Sequence, residues 1–150
     1  MISWVAFGQP ISLEVTILLF EATIPITPKP WTVRRGRTFY NVNADYIQHV
    51  RIYLRDEFHN KPYNCPIYLD LVHYMPIPKS VSKKAYNDYV NNKVYHLKKP
   101  DTTNLNKQME DCLTGIIWVD DCQVIKIRGT KLYSDNPRTE IRVYEYKIED

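Results

Sequence analysis

Between Lys98 and Val124 the chain reads KKPDTTNLNKQMEDCLTGIIWVDDCQV. Five acids fall in this window: Asp101, Glu110, Asp111, Asp120 and Asp121. Past the opening lysine pair there is one base, Lys107. Carboxylate oxygens are hard ligands of the kind that hold Mg²⁺ or Mn²⁺. The preceding segment, Lys79 to Pro100, holds six lysines and a single acid, Asp88. An acidic centre beside a cationic run suits a divalent cation placed against a polyanion, and nucleic acid is the obvious polyanion. A cation held there can activate water and stabilise charge on a phosphoryl oxygen. Lys107 can neutralise negative charge that develops in the reaction. Solvated helix faces also carry acid clusters, so the residues alone leave both a metal site and an exposed charged face open.

A helix and a strand must position these groups. Thr103 to about Leu113 reads as a helix, with Thr102 or Thr103 as N-cap. Leu105, Met109, Cys112 and Leu113 form its buried stripe, and Asn104, Lys107 and Asp111 run along another face. Gly115 terminates it. Asp120 and Asp121 then open a strand over Gln123 to Tyr133. A helix antiparallel to that strand would bring Asp101 and Asp121 together across a cleft.

The other elements follow from periodicity and turn chemistry. Ile11 to Phe20 reads as a strand and the proline-rich EATIPITPKP as an extended loop. WTVRRGRTFY is a turn or hairpin with Arg34, Arg35 and Arg37 around Gly36, either a phosphate contact or a solvated basic loop. Trp31, Phe39 and Tyr40 are read as hairpin packing, with insertion into an opened DNA branch as the alternative. Asn43 to about Phe58 has three- and four-residue apolar spacing and reads as a core-facing helix. Cys65 to Met75 alternates as a central strand, with Ile67, Leu69, Leu71 and His73 on one face. Ser82 caps a short helix through Val90, and Thr139 to Lys147 is the last strand.

At 150 residues the chain is expected to form one domain, residues 1–150, with a real core. The formal charge of +3 is mild, so the distribution of charge is more informative than its sum. The three cysteines, Cys65, Cys112 and Cys122, form no CxxC pair, and the four histidines show no HxxxH spacing. A disulfide framework and a dedicated zinc site are therefore not indicated. No segment approaches the roughly 20 apolar residues of a membrane span. MISWVAFGQP lacks the basic start of a secretory signal, so a soluble cytoplasmic protein is expected.

The same run closely resembles the signature of the RusA family of Holliday junction resolvases, common in phages and prophages. That signature is roughly a basic residue, PDxDNLxK, a helix with D-A-L, a short turn and DDxQV. The chain matches it at Lys99, Pro100, Asp101, Asn104, Leu105, Lys107, Asp111, Leu113, Asp120, Asp121, Gln123 and Val124. The resemblance implies a homodimeric α+β protein with a mixed β-sheet and two or three helices packed on it. It implies Mg²⁺-dependent endodeoxyribonuclease activity, with Mn²⁺ as a substitute, that resolves branched DNA by paired symmetric nicks. Asp101, Lys107 and Asp121 take the catalytic roles, with Asp101, Asp121, Asp120 and Asp111 as metal ligands. Arg34, Arg35, Arg37, Lys83, Lys84, Lys98 and Lys99 are the expected DNA contacts. One departure stands out: the family's second aspartate, two residues after the first, is Thr103 here. A hydroxyl is the poorer metal ligand, so a catalytically impaired protein that still binds branched DNA is the alternative.

Overall fold

The computed structural model describes residues 13–149. Six strands and three α-helices follow one another in the order β1 (Leu13–Ile24), β2 (Val33–Arg35), β3 (Phe39–Asn41), α1 (Ala44–Glu57), β4 (Ile67–Pro76), α2 (Lys83–Val90), α3 (Thr102–Leu113), β5 (Val124–Ser134) and β6 (Arg138–Glu149). A 3-10 turn, Asp121–Gln123, leads into β5. The main sheet has the order β1-β6-β4-β5, and β2 and β3 form a separate ribbon. The fold is α+β with a mixed sheet, as expected. Ile11 and Ser12, assigned to the first strand from sequence, lie outside the described residues. That strand continues through Glu21–Ile24, which sequence reading gave to a loop. These residues pair with Thr139–Arg142 of β6 ahead of Pro25, the first proline of that segment.

β4 is central, antiparallel to β6 and parallel to β5. A parallel neighbour requires a crossover. The chain between β4 and β5 supplies one, with α2 and α3 along it, and this lays α3 against the sheet. Ile67, Leu69, Leu71 and His73 of β4 are all buried on the helix-bearing side. Ile67, Leu69 and Leu71 join Tyr46, Val50 and Leu54 of α1 and Met109, Cys112 and Leu113 of α3. Burying a side chain such as Leu113 or Leu69 stabilises the fold by roughly 1.5–3 kcal/mol. On the opposite face of the sheet Asp70 is buried yet paired, accepting from Arg128 Nε at 3.0 Å and Nη2 at 2.6 Å. Tyr68 stacks on Tyr144 beside that pair.

Three details fix where α3 lies. Its cap is Asp101, not Thr102 or Thr103: the Asp101 carboxylate accepts from the Asn104 backbone N–H at 2.8 Å. A carboxylate is the better cap because it carries charge to the positive end of the helix dipole. At the other end, Arg51 of α1 donates to the carbonyls of Asp111 (3.2 Å) and Thr114 (2.9 Å), which a helix terminus leaves unpaired. Gly115 then turns the chain with φ of 86°, a conformation that favours glycine. In its middle, Gln108 is fully buried and bonds Asn41 Nδ2 (2.8 Å) and the Asn43 carbonyl (3.0 Å). Together with the Trp31 N–H on the Asn104 carbonyl (3.0 Å), this pins the arginine ribbon to the helix. Ser82 caps α2 as expected, accepting from the Ala85 N–H at 3.2 Å.

Candidate active site on helix α3

Two hollows border α3. The first, of about 440 Å³, is lined by Thr103, Asn106, Lys107, Glu110 and Asp111 of the helix, Asp121 of the 3-10 turn and Ile127 of β5. Residues 103, 107, 110 and 111 recur at helical spacing, so one face presents a hydroxyl, an ammonium and two carboxylates in succession. The second hollow, of about 570 Å³, lies at the helix N-terminus and is lined by Pro30–Val33, Lys99, Pro100, Asp101 and Asn104.

Asp121 reaches the first hollow because the turn that carries it is tightly built. Thr114 Oγ1 donates to the Glu110 carbonyl and receives Trp118 Nε1–H at 3.1 Å, with Trp118 fully buried. Tyr63 clamps the same turn through its N–H to the Ile117 carbonyl (2.8 Å). Asp120 and Gln123 then cap one another. Asp120 accepts from the Cys122 N–H at 2.9 Å, and Gln123 Oε1 accepts from the Asp120 N–H at 2.8 Å. Gln123 Nε2 ties this turn to the carbonyls of Tyr63 and Cys65. The carboxylate of Asp120 is thereby occupied in the turn, held below its ordinary range chiefly by the Cys122 backbone bond. Asp121 faces the helix.

Charge is crowded in this hollow. Burial first, then the negative charges of Asp111 and Asp121, push Glu110 up, against the opposing pull of Lys107. Asp111 is pushed up by burial, relieved by Lys107 and raised further by Asp121. Lys107 leans over the Trp31 ring, its Nζ 3.7 Å from the ring centroid. This cation–π contact fixes the ammonium between the two hollows.

Asp101 stands at the mouth of the second hollow with both oxygens engaged by Asn104, through its N–H and through Nδ2 at 3.2 Å. Asn104 thus shares the hollow of Asp101 rather than the face of Lys107 and Asp111 to which sequence reading assigned it. Lys131 Nζ ties down the strap before Asp101, donating to the carbonyls of Lys98 and Pro100, both at 2.9 Å. Burial lowers Lys131, while Asp101 favours its charged form.

The structure therefore brings Lys107, Asp111 and Asp121 into one hollow and places Asp101 in its neighbour at the start of the same helix. Asp120 lines neither hollow. Asp120, Asp121 and Cys122 have potential ligand atoms within 4.8 Å of one another at the surface. Among the basic residues, Lys99 lines the Asp101 hollow, and Arg34, Arg35 and Arg37 are exposed on the ribbon whose root forms part of its wall. Lys83 and Lys84 are exposed at the start of α2, where Lys83 borders a separate hollow with Pro76 and Tyr86. Phe39 and Tyr40 are 73% and 51% exposed, so neither packs as a core residue, whereas Trp31 is partly buried under Lys107. Sequence reading did not assign Asn106 to the site, counted Glu110 among the acids without giving it a role, and gave Trp31 only as an alternative DNA contact. For Glu110 the signal was available as the three-residue step from Lys107. The Trp31 contact spans distant parts of the chain and has no local signal.

The family model for the endodeoxyribonuclease RusA matches residues 24–144. The chain belongs to the RusA family. The match takes in the ribbon, α3, the 3-10 turn and most of β6. A Bacillus subtilis protein described as uncharacterized, YqaN, is 37% identical over 82 residues, which are 53% of this chain. The chain spans 58% of the length of that relative. No described helix is long and apolar enough to cross a membrane.

Proposed function

We propose that this RusA-family chain is a divalent-metal-dependent endodeoxyribonuclease that resolves Holliday junctions and other branched DNA by paired nicks. The observation that carries the reading is the convergence of Glu110, Asp111 and Asp121 on one hollow with Lys107 at its edge. Asp121 raises the proton affinity of both Glu110 and Asp111, and carboxylates crowded in this way favour a cation among them. Oxygen donors alone suit Mg²⁺ or Mn²⁺ better than a softer metal. Asp111 and Asp121 would hold that cation with Glu110, and Asp101 would contribute from the adjoining hollow. When bound, such a cation supplies Lewis-acid stabilisation of charge on the phosphoryl group. Lys107, steadied by Trp31, sits where it can neutralise charge on an attacked phosphate.

The basic surfaces supply the grip. Lys99 lines the Asp101 hollow with exposed Lys98 before it in the chain, Arg34, Arg35 and Arg37 are exposed on the ribbon whose root walls that hollow, and Lys83 and Lys84 are exposed at the start of α2. Contacts of this kind go to phosphates and carry little sequence information, so selectivity for a branch would come from DNA shape. Two strands of a junction must be cut, and a homodimer with a twofold axis would deliver two equivalent sites.

Thr103 supports a second reading, a branched-DNA-binding protein with impaired chemistry. Thr103 lines the carboxylate hollow and offers only a neutral hydroxyl where the family motif has an aspartate. Glu110 and Asp111, both about two turns further along the same face, supply carboxylates there and favour the active reading. A synthetic four-way junction incubated with the purified protein separates the two. Symmetric nicks with Mg²⁺ or Mn²⁺, and none in EDTA, are expected. A junction bound but left intact in both metals would leave the binding reading standing.

A further inference from the structure

Asn106 belongs to no part of the matched motif, yet it is the most constrained polar side chain of the carboxylate hollow. It leaves α3 toward β5 and lies against Gly129. A Cβ built on Gly129 would overlap the Asn106 carboxamide, coming within 2.7 Å of its Cγ. Glycine within a strand weakens it, and one use of such a position is to let another group approach the backbone closely. The carboxamide occupies the space that a side chain at residue 129 would fill.

Its orientation is fixed from below. Asn106 Oδ1 lies 2.9 Å from His73 Nε2, and His73 is only 1% exposed in β4. Burial lowers the proton affinity of this imidazole and keeps it neutral. A neutral ring has one N–H, and an amide oxygen can only accept, so the proton sits on Nε2. His73 Nδ1 is then the acceptor for the buried Thr139 hydroxyl at 3.5 Å. With Oδ1 committed to His73, the two N–H bonds of Nδ2 remain. They have no hydrogen-bond partner among the described residues, although Asn106 lines the hollow with Lys107, Glu110, Asp111 and Asp121. A chain of Thr139, His73 and Asn106 thus ends in a fixed neutral donor beside a carboxylate cluster.

We propose that Asn106 is a further substrate-contacting residue, donating Nδ2–H to a non-bridging oxygen of the scissile phosphate, with His73 and Gly129 as the positioning residues that aim it. The inference rests on the nuclease reading. It adds that the hollow carries a donor for the phosphate besides Lys107. A neutral amide suits this place because it gives hydrogen bonds to the phosphate without competing with a cation for the carboxylates. Preorganised donors of this type contribute to the chemical step because they need no reorientation when charge develops.

Asn106→Asp tests the proposal: it keeps the shape and the acceptor for His73 and removes the N–H donors, while Thr103→Asp, which adds the same charge to the hollow but leaves Asn106 in place, controls for the carboxylate it introduces. The single-turnover cleavage rate of a four-way junction should fall about 10²-fold. Junction affinity in EDTA should stay close to wild type, and the melting temperature close to that of Thr103→Asp. Gly129→Ala, which displaces the carboxamide, should slow cleavage at unchanged junction affinity. Its double mutant with Asn106→Asp should be no slower than Asn106→Asp alone, because both act through one group. If wild type cleaves and Asn106→Asp cleaves equally fast, Asn106 is merely the partner of a buried histidine and the proposal falls. Equal losses of rate, affinity and melting temperature would overturn it as well. A wild type that leaves the junction intact instead removes the nuclease reading on which the proposal stands.

Discussion

The two ends of α3 treat negative charge in opposite ways. At the N-terminus Asp101 caps its own helix at the positive end of the dipole, accepting from the Asn104 N–H and from the Asn104 carboxamide. At the far end Glu110 and Asp111 face Asp121 with one lysine among them, and burial and mutual repulsion push both acids up. The first carboxylate is satisfied by its own chain, and the second group is offset only in part, by Lys107. A helix can carry both because they lie between two and three turns apart. On the proposed reading the labour is divided, with the Asp101 end as a fixed scaffold and the Glu110–Asp111–Asp121 end as the place where a cation would bind.

Neutralising each end should therefore give different phenotypes. Asp121→Asn is expected to have the largest effect, a loss of junction cleavage of about 10³-fold or more, with junction affinity in EDTA intact or tighter. Asp101→Asn should also cut poorly, but asparagine caps a helix as well as aspartate, so its melting temperature should hold. Asp101→Ala should lose the cap too and cost about 1 kcal/mol of stability, read by urea denaturation. If Asp101→Asn cleaves at the wild-type rate, Asp101 is a structural cap and the engine lies wholly at the other end.

Thr103 lies between the two ends and can shift the balance. Thr103→Asp adds a carboxylate to the crowded hollow, near the helix N-terminus where the dipole tolerates it. Calorimetry should show Mg²⁺ binding tightened by about tenfold, the scale of a favourable change of ~1.4 kcal/mol. Cleavage at low Mg²⁺ should rise with it. Unchanged Mg²⁺ affinity would separate Thr103 from the cation and shift the metal reading toward Asp120 and the turn.

Trp31→Leu probes the link between the ends, since Trp31 walls the Asp101 hollow while its ring carries Lys107. Losing a partly buried cation–π contact of roughly 1–2 kcal/mol should reduce the single-turnover rate by about 5- to 30-fold, with Trp31→Phe in between. Junction affinity should change little, because the ribbon is still pinned by Gln108. An effect on affinity alone would make Trp31 a DNA contact instead.

Local chemistry made much of this legible in the sequence. The β4 alternation predicted the buried face through His73, and the stripe Leu105, Met109, Cys112 and Leu113 predicted the inner face of α3. Ser82 announced its cap. The errors arose where two local rules competed or where tertiary contact decided. Thr102 and Thr103 are good caps, but Asp101 is better placed for the dipole, so the helix begins a residue earlier. Glu21–Ile24 looked like a loop because prolines follow, and only pairing with β6 shows it to be strand. Asn106, Gln108 and Trp31 could not be read, because their partners His73, Asn41 and Lys107 lie tens of residues away and no periodicity encodes such meetings.

The smallest expected effect is also the most direct measure of the crowding. Glu110→Gln keeps the size of the side chain and removes one of the mutually repelling charges. Because the folded state holds the Glu110 proton more tightly than the unfolded chain does, metal-free stability falls as pH rises from the ordinary value of 4.5 through the raised one. Below that window Glu110 is protonated in both states and resembles glutamine. Above it the ionised carboxylate carries the full penalty. The variant in EDTA should therefore melt with the wild type at pH 4 and about 1–2 °C above it at pH 7. Saturating Mg²⁺ should shrink or reverse that gap, since wild type then gains the binding energy of its full carboxylate set. A gap of the same size at both pH values would trace it to helix propensity. A gap that Mg²⁺ leaves untouched would take Glu110 out of the cation's surroundings, leaving Asp111 and Asp121 to hold it.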